Sequence, residues 1–132
     1  MYIIYGIPNC DTVRKTLNWF QKHKIAYDFY NYKTNGVSPE KLKQWSKQVG
    51  WESLLNKKGT TWKQLDKKIQ VVVITEKTAI QWLIENTSAI KRPLIEKADK
   101  VITLGFDEEV YKKIFTTSKK TKWQINVEEI SR

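Results

Sequence analysis

The chain is poor in the residues that build several common functional sites. It holds one cysteine, one histidine, one methionine, three prolines and five glycines in 132 residues. A single Cys cannot form an internal disulfide, and one Cys with one His cannot assemble a Cys/His zinc site. No apolar run approaches the roughly 20 residues that span a bilayer. The start, Met1-Tyr2-Ile3-Ile4-Tyr5-Gly6, lacks the basic region and cleavage site of a secretory leader. No Gly-rich phosphate loop, carboxylate pair or metal-ligand spacing occurs, nor any repeat. These absences point to a cytoplasmic, single-domain, monomeric protein with no membrane contact. With 40% hydrophobic and 12% aromatic residues, the chain can bury a core and is not a disordered tail.

Acid is the other shortage. Lys and Arg together number 24 against 14 Asp and Glu, a net charge of +10. Such a surface attracts phosphates and other anions. The excess is nearly all Lys, since only Arg14, Arg92 and Arg132 are arginines. Bidentate recognition of bases and phosphates favours Arg, so the charge reads first as a solvated, Lys-rich surface.

Periodicity gives the element order. Tyr2–Gly6 is a short β-forming run stopped by Gly6 and Pro8. Val13, Leu17 and Phe20 then recur at helical spacing, with Asp11 placed to cap the helix. The alternating segment 26–32 is a second strand, and strand–helix–strand implies a parallel pair. Ser38-Pro39-Glu40 is a helix start, and Leu42, Trp45 and Val49 form its buried stripe. Trp51 to Leu55 forms a helical turn, and Thr61 is placed to cap a helix carrying Trp62 and Leu65. The β-branched run 69–74 favours strand by propensity although helical segments surround it. Thr75 caps a helix bearing Ile80, Leu83 and Ile84. Segments 93–96 and 100–104 form a hairpin, and Asp107 caps a last helix with Tyr111 and Phe115. The order βαβ, helices, ββα is that of a thioredoxin-like α/β fold, a mixed four-stranded sheet with a helical insert at about 38–88. One domain spans residues 1–116, followed by a basic tail, 117–132.

Cys10 stands between the first strand and the first helix. That junction places it where ligands bind in α/β sheets, and the free N–H groups of Thr12 and Val13 favour a thiolate or an oxyanion there. Arg14, one turn on, shares that side. The plain alternative is a small buried residue. In Ile90-Lys91-Arg92-Pro93-Leu94, the residue before proline is extended, so Arg92 projects from the start of a strand. Beside a Cys it would bind an oxyanion or carboxylate by paired hydrogen bonds; alone it reads as a surface arginine. His23 reads as a surface residue at a helix end, and the six Trp as core and insert packing.

Four blocks together carry a resemblance: Tyr5-Gly6-Ile7-Pro8-Asn9-Cys10-Asp11-Thr12, Leu54-Leu55-Asn56-Lys57-Lys58-Gly59-Thr60-Thr61-Trp62, Ile90-Lys91-Arg92-Pro93-Leu94-Ile95 and Leu104-Gly105-Phe106. Over residues 1 to 116 the chain resembles the ArsC/Spx family, most of all its YffB-like branch. The resemblance implies a cis-proline at Pro93 and helix rather than strand around 69–74. It implies thiol chemistry, in which Cys10 attacks an oxyanion or a disulfide and glutathione or glutaredoxin resolves the product. It assigns Cys10 and Arg92 as catalytic. Asn9, Asp11, Thr12, Val13, Arg14, Lys58 and Pro93 would bind substrate or glutathione, with no bound cofactor and no metal.

The departures narrow the activity. Arsenate reductases proper carry His where this chain has Gly6, Arg where it has Asn56, and a further Arg near Phe106. Lys does not replace a bidentate Arg without loss, which argues against arsenate and for a glutathione-linked thiol-disulfide reductase. The alternative is an Spx-like regulator that binds RNA polymerase. Spx-type members typically carry a Cys-x-x-Cys switch, and Val13 stands in the second position here. Two features keep the alternative open: eight Lys against two acids over residues 41–68, and five Lys with no acid from Lys112 to Lys122.

Overall fold

The computed structural model describes residues 1–57, 63, 67–73 and 75–116. Strand β1 (Tyr2–Gly6) leads to α1 (Asp11–Lys22), β2 (Tyr27–Asn31) and a short α2 (Tyr32–Asn35). The insert follows as α3 (Pro39–Val49), α4 (Trp51–Leu54), α5 (Lys67–Val72) and α6 (Glu76–Glu85). A 3₁₀ turn (Thr87–Ala89), β3 (Leu94–Lys97), β4 (Lys100–Leu104) and α7 (Glu108–Tyr111) complete the order, and a π turn continues α7 over Lys112–Thr116. Sheet order is β2-β1-β3-β4, with β1 parallel to β2 and antiparallel to β3. The expected thioredoxin-like α/β architecture with a helical insert is present.

Alternation along the two central strands divides the core. Ile4 and its partner Ile95 face a cluster with Trp19, Phe20, Tyr111 and Phe115. Tyr5 and Leu94 face the opposite cluster with Leu42, Trp45, Leu54 and Leu83 from the insert. Successive strand side chains point to opposite faces, so both faces of β1 and β3 are covered, and their apolar runs need no polar alternation. Into the insert side is set one buried carboxylate. Glu96, 1% exposed, accepts hydrogen bonds from Tyr5 Oη at 2.8 Å and Trp45 Nε1 at 3.0 Å, and pairs with Lys41 Nζ at 2.7 Å. These contacts bind α3 to β1 and β3.

Local signals hold at most helix starts. The hydroxyl of Ser38 accepts from the Lys41 N–H, Thr75 forms a capping box with Thr78, and Asp107 accepts from the Glu109 and Val110 N–H groups. Of the run 69–74, residues 69–72 lie in the helix Lys67–Val72, as the family resemblance implied and strand propensity did not; Val73 lies beyond the helix and residue 74 outside the described residues. Exposed Val71 and Val72 occupy the helix end, so the β-branched residues there are not packed as a buried strand would pack them. His23 differs from its expected surface setting. It is half-buried, its ring stacks on Trp19 with centroids 4.0 Å apart, and its Nδ1 lies 2.9 Å from the Trp19 carbonyl. Thr61, Trp62, Lys58 and the tail 117–132 lie outside the described residues. Among the described residues no helix is long and apolar enough to cross a membrane.

Candidate active site

Gly6 ends β1, and the chain turns through Ile7, Pro8 and Asn9 to reach α1. The helix cap is Cys10, not Asp11 as the sequence suggested. The Cys10 backbone is extended (φ −150°, ψ 123°), and its carbonyl accepts the Arg14 N–H at 2.9 Å, the first bond of the helix. That shift by one residue matters chemically. A cap side chain faces the N–H groups two and three residues on, here those of Thr12 and Val13. The Cys10 side chain makes no capping hydrogen bond of ordinary geometry, but the Val13 and Thr12 N–H groups face its sulfur and favour the ionised form.

The electrostatics follow that geometry. Burial pushes the Cys10 thiol up, but the Val13 N–H, the Arg92 guanidinium and the Thr12 N–H more than reverse it. The thiol is held below its ordinary range. Cys10 is half-buried.

Arg92 comes from the other half of the chain. It stands before Pro93, joined to it by a cis peptide bond, at the entry to β3. Its Nη1 donates to the Ser88 carbonyl at 2.6 Å and, at 3.4 Å, to the Ile90 carbonyl. Its Nε is buried with no hydrogen-bond partner among the described residues. The insert anchors this segment: Asn56 N–H donates to Ala89 O at 2.8 Å, and Lys91 N–H to Leu54 O at 2.7 Å. The Leu-Leu-Asn block singled out in the sequence thus forms a bridge to the Arg92 segment, with Leu55 opposite Ile90.

The remaining candidates fall into two groups. Thr12 and Val13 lie at the sulfur through their backbone, and Pro93 is buried with its carbonyl accepting the Gly105 N–H at 2.7 Å. Arg14 is instead engaged locally. It donates to Asp11 Oδ1 at 2.7 Å and Asn9 Oδ1 at 3.0 Å, all three residues being exposed. A separate cleft of about 530 Å³, bordered by Tyr5, Tyr30, Gly36 and Lys41, is lined by none of the sequence candidates. Among the described residues no cluster of His, Cys, Asp and Glu could hold a metal ion.

Sequence reasoning missed Tyr32. Alternation over 26–32 makes it the end of a strand, whereas the Asn31 side chain accepts from the Lys33 and Thr34 N–H groups and starts α2 there. Tyr32 is fully buried and its hydroxyl donates to the Ile90 carbonyl at 2.9 Å. Burial, only partly offset by Arg92, pushes its phenol up to about 12, so it remains a donor. The Asx signal of Asn31 was available to place the helix start; the long-range contact was not.

A mixed sheet, a cysteine at the first helix start and a cis-proline strand facing it define a thioredoxin-like protein with an insert. The chain belongs to the ArsC family, whose profile matches residues 5–114. A Haemophilus influenzae protein of uncharacterised function is 39% identical over 115 residues, covering 87% of this chain and 99% of that one. The solved structure of a YffB protein superposes with a TM-score of 0.80 at 37% identity, covering 86% of this chain and 98% of that one. The global transcriptional regulator Spx of Lactiplantibacillus plantarum is 27% identical over 111 residues, covering 83% of this chain and 82% of that one.

Proposed function

We propose that the protein is a glutathione-dependent thiol-disulfide reductase that works through a single nucleophile, Cys10. The observation that carries this reading is the thiol at the cap of α1, held below its ordinary range by the Val13 N–H and Arg92 against the opposing effect of burial. The Cys10 thiolate attacks one sulfur of a substrate disulfide; that S–S bond breaks and one substrate thiolate leaves, taking a proton from water. Cys10 is then in a mixed disulfide with the other half. With no second cysteine in the chain, resolution falls to external thiols. One glutathione thiolate attacks the Cys10 sulfur and releases the second substrate thiolate. A second attacks the glutathione sulfur, releasing Cys10 and glutathione disulfide. Two glutathiones supply two electrons, and no base is required at the nucleophile.

Arg92 stabilises the thiolate and offers a fork for the carboxylate of glutathione or substrate; glutaredoxin could serve as donor in its place. Arsenate is a poor fit because the Gly6, Asn56 and Phe106 positions lack the side chains that arsenate reductases proper carry. The test follows alkylation by iodoacetamide against pH, together with glutathione-dependent reduction of a model disulfide. An activated site gives a midpoint well below about 8.5 and turnover abolished in Cys10→Ser. A midpoint near the ordinary value with no turnover rejects the enzyme.

The second reading, an Spx-like regulator that binds RNA polymerase, is favoured by the 27% identity to Spx. Capture of purified RNA polymerase by wild type and Cys10→Ser alike, without thiol turnover in either, would select it.

A further inference from the structure

We propose that Tyr32 is a positioning residue of the Cys10 site, setting the aim of Arg92 at the sulfur through the carbonyl of Ile90. The proposal rests on the reading of Cys10 as an activated nucleophile.

The placement begins with the sheet. β1 and β2 run parallel with Gly6 opposite Asn31, so the chain leaves both strands at one edge. One exit leads to Cys10 and the other opens directly on Tyr32. Asn31 caps α2, turning the Tyr32 ring into the insert-side core, where it is fully buried. A buried phenol has one proton to donate, and this one goes to the Ile90 carbonyl at 2.9 Å.

That carbonyl is shared. Arg92 Nη1 lies 3.4 Å from it and 2.6 Å from the Ser88 carbonyl, so one guanidinium nitrogen is held between two backbone oxygens. Tyr32 helps hold one of those oxygens, and its hydroxyl also interacts directly with the Arg92 guanidinium. A guanidinium is a rigid planar fork, so holding Nη1 sets the direction of every other donor. The partnerless, buried Nε shows that the fork is not saturated by carbonyls. The same peptide unit is held on its other side by Lys91 N–H to the Leu54 carbonyl at 2.7 Å, so losing the phenol removes one of two restraints on the Ile90 carbonyl and loosens the seat of the guanidinium rather than releasing it.

A residue that only fills the core would act through packing, and Tyr32→Phe keeps the ring while removing the donor. Alkylation of Cys10 by iodoacetamide is measured against pH in wild type, Tyr32→Phe, Arg92→Ala and the double variant. Tyr32→Phe is expected to move the midpoint upward and to slow the rate at pH 7 about three- to tenfold, a hydrogen bond's worth. The rate at pH 10 should be unchanged. The double variant should match Arg92→Ala alone if the effect of Tyr32 on the thiol runs through Arg92. The Arg92 Nε–H resonance should also shift in Tyr32→Phe, a readout that does not depend on reactivity. A Tyr32→Phe profile superimposable on a depressed wild-type profile overturns this proposal alone, as does an effect that adds fully to that of Arg92→Ala. A wild-type midpoint near 8.5 overturns the underlying reading, and this proposal with it.

Discussion

Gly6 and Val13 are in contact: a β-carbon added at Gly6 would lie 2.8 Å from Val13 Cγ2. The end of β1 and the first turn of α1 therefore touch with no room for a side chain. The atom in the way belongs to a β-branched residue with few rotamers to escape into, and Val13 is fully buried. The arsenate-reductase pattern of His at this position is thus incompatible with Val13 as it sits. Gly6→Ala should cost about 1–3 kcal/mol of stability by overpacking, read from the urea midpoint. The Cys10 alkylation midpoint should rise too, because displacing Val13 moves the N–H that faces the sulfur. An unchanged urea midpoint would show that the helix start can slide.

Arg92→Lys keeps the charge but loses the planar fork, so it tests geometry against charge alone. Lys cannot span the Ser88 and Ile90 carbonyls while also facing the sulfur. The expected result is an upward shift of the Cys10 midpoint by about half a unit or more, and Arg92→Ala should shift it further. Equal midpoints for wild type and Lys would assign the effect to charge only.

The Cys10 thiol also makes stability depend on pH. Its folded value lies below that of an ordinary thiol, about 8.5, so the folded state holds the thiolate more readily than the unfolded chain does. The contribution is full above about pH 9, shrinks as pH falls through the window down to the folded value, and is absent below it. Cys10→Ser has no such dependence. The difference in thermal midpoint between wild type and Cys10→Ser should therefore grow in favour of wild type from pH 6 to pH 9. A constant difference would mean that the thiol titrates alike in both states.

Lys41 and Glu96 form an asymmetric pair, with the Lys41 side chain 23% exposed and that of Glu96 2% exposed. Lys41→Met strands a buried carboxylate with only Tyr5 and Trp45 as donors, and should cost about 3 kcal/mol. Glu96→Gln leaves Lys41 able to turn toward solvent and Asp99, which lies 3.5 Å away. It should cost only about 1 kcal/mol, the net value of an ordinary hydrogen bond. Urea titrations of the two variants check the order; the reverse order would place the stabilisation on Lys41 contacts other than Glu96.

Much of the fold was legible because its signals are local. Ser38-Pro39, Thr75 and Asp107 act within one helical turn, and each caps the helix expected of it. Cap assignment failed at α1, where Asp11 has the better capping chemistry but Cys10 has the extended backbone. The turn from Gly6 to Asn9 leaves Cys10, not Asp11, in the extended conformation of a cap, and side-chain capping preference does not encode that. The run 69–74 misleads by propensity alone, since a β-branched run reads as strand wherever its partners are unknown, and residues 69–72 are helix.

The sequence by itself determined the order βαβ, then ββα, of the elements that carry the sheet, the single cysteine at the strand–helix junction, and hence the dependence of any disulfide chemistry on an outside thiol. Tertiary structure decided what surrounds that cysteine. Arg92 comes from 82 residues further on, its guanidinium held by the Ser88 and Ile90 carbonyls and its segment by Tyr32 and the insert's Leu54–Asn56 bridge. Arg14, the nearer arginine in sequence, is instead held by Asp11 and Asn9. The reason is physical. Periodicity reports which face of an element is buried, but the partner across a sheet edge is set by strand register and loop closure, which appear only when the whole chain is packed.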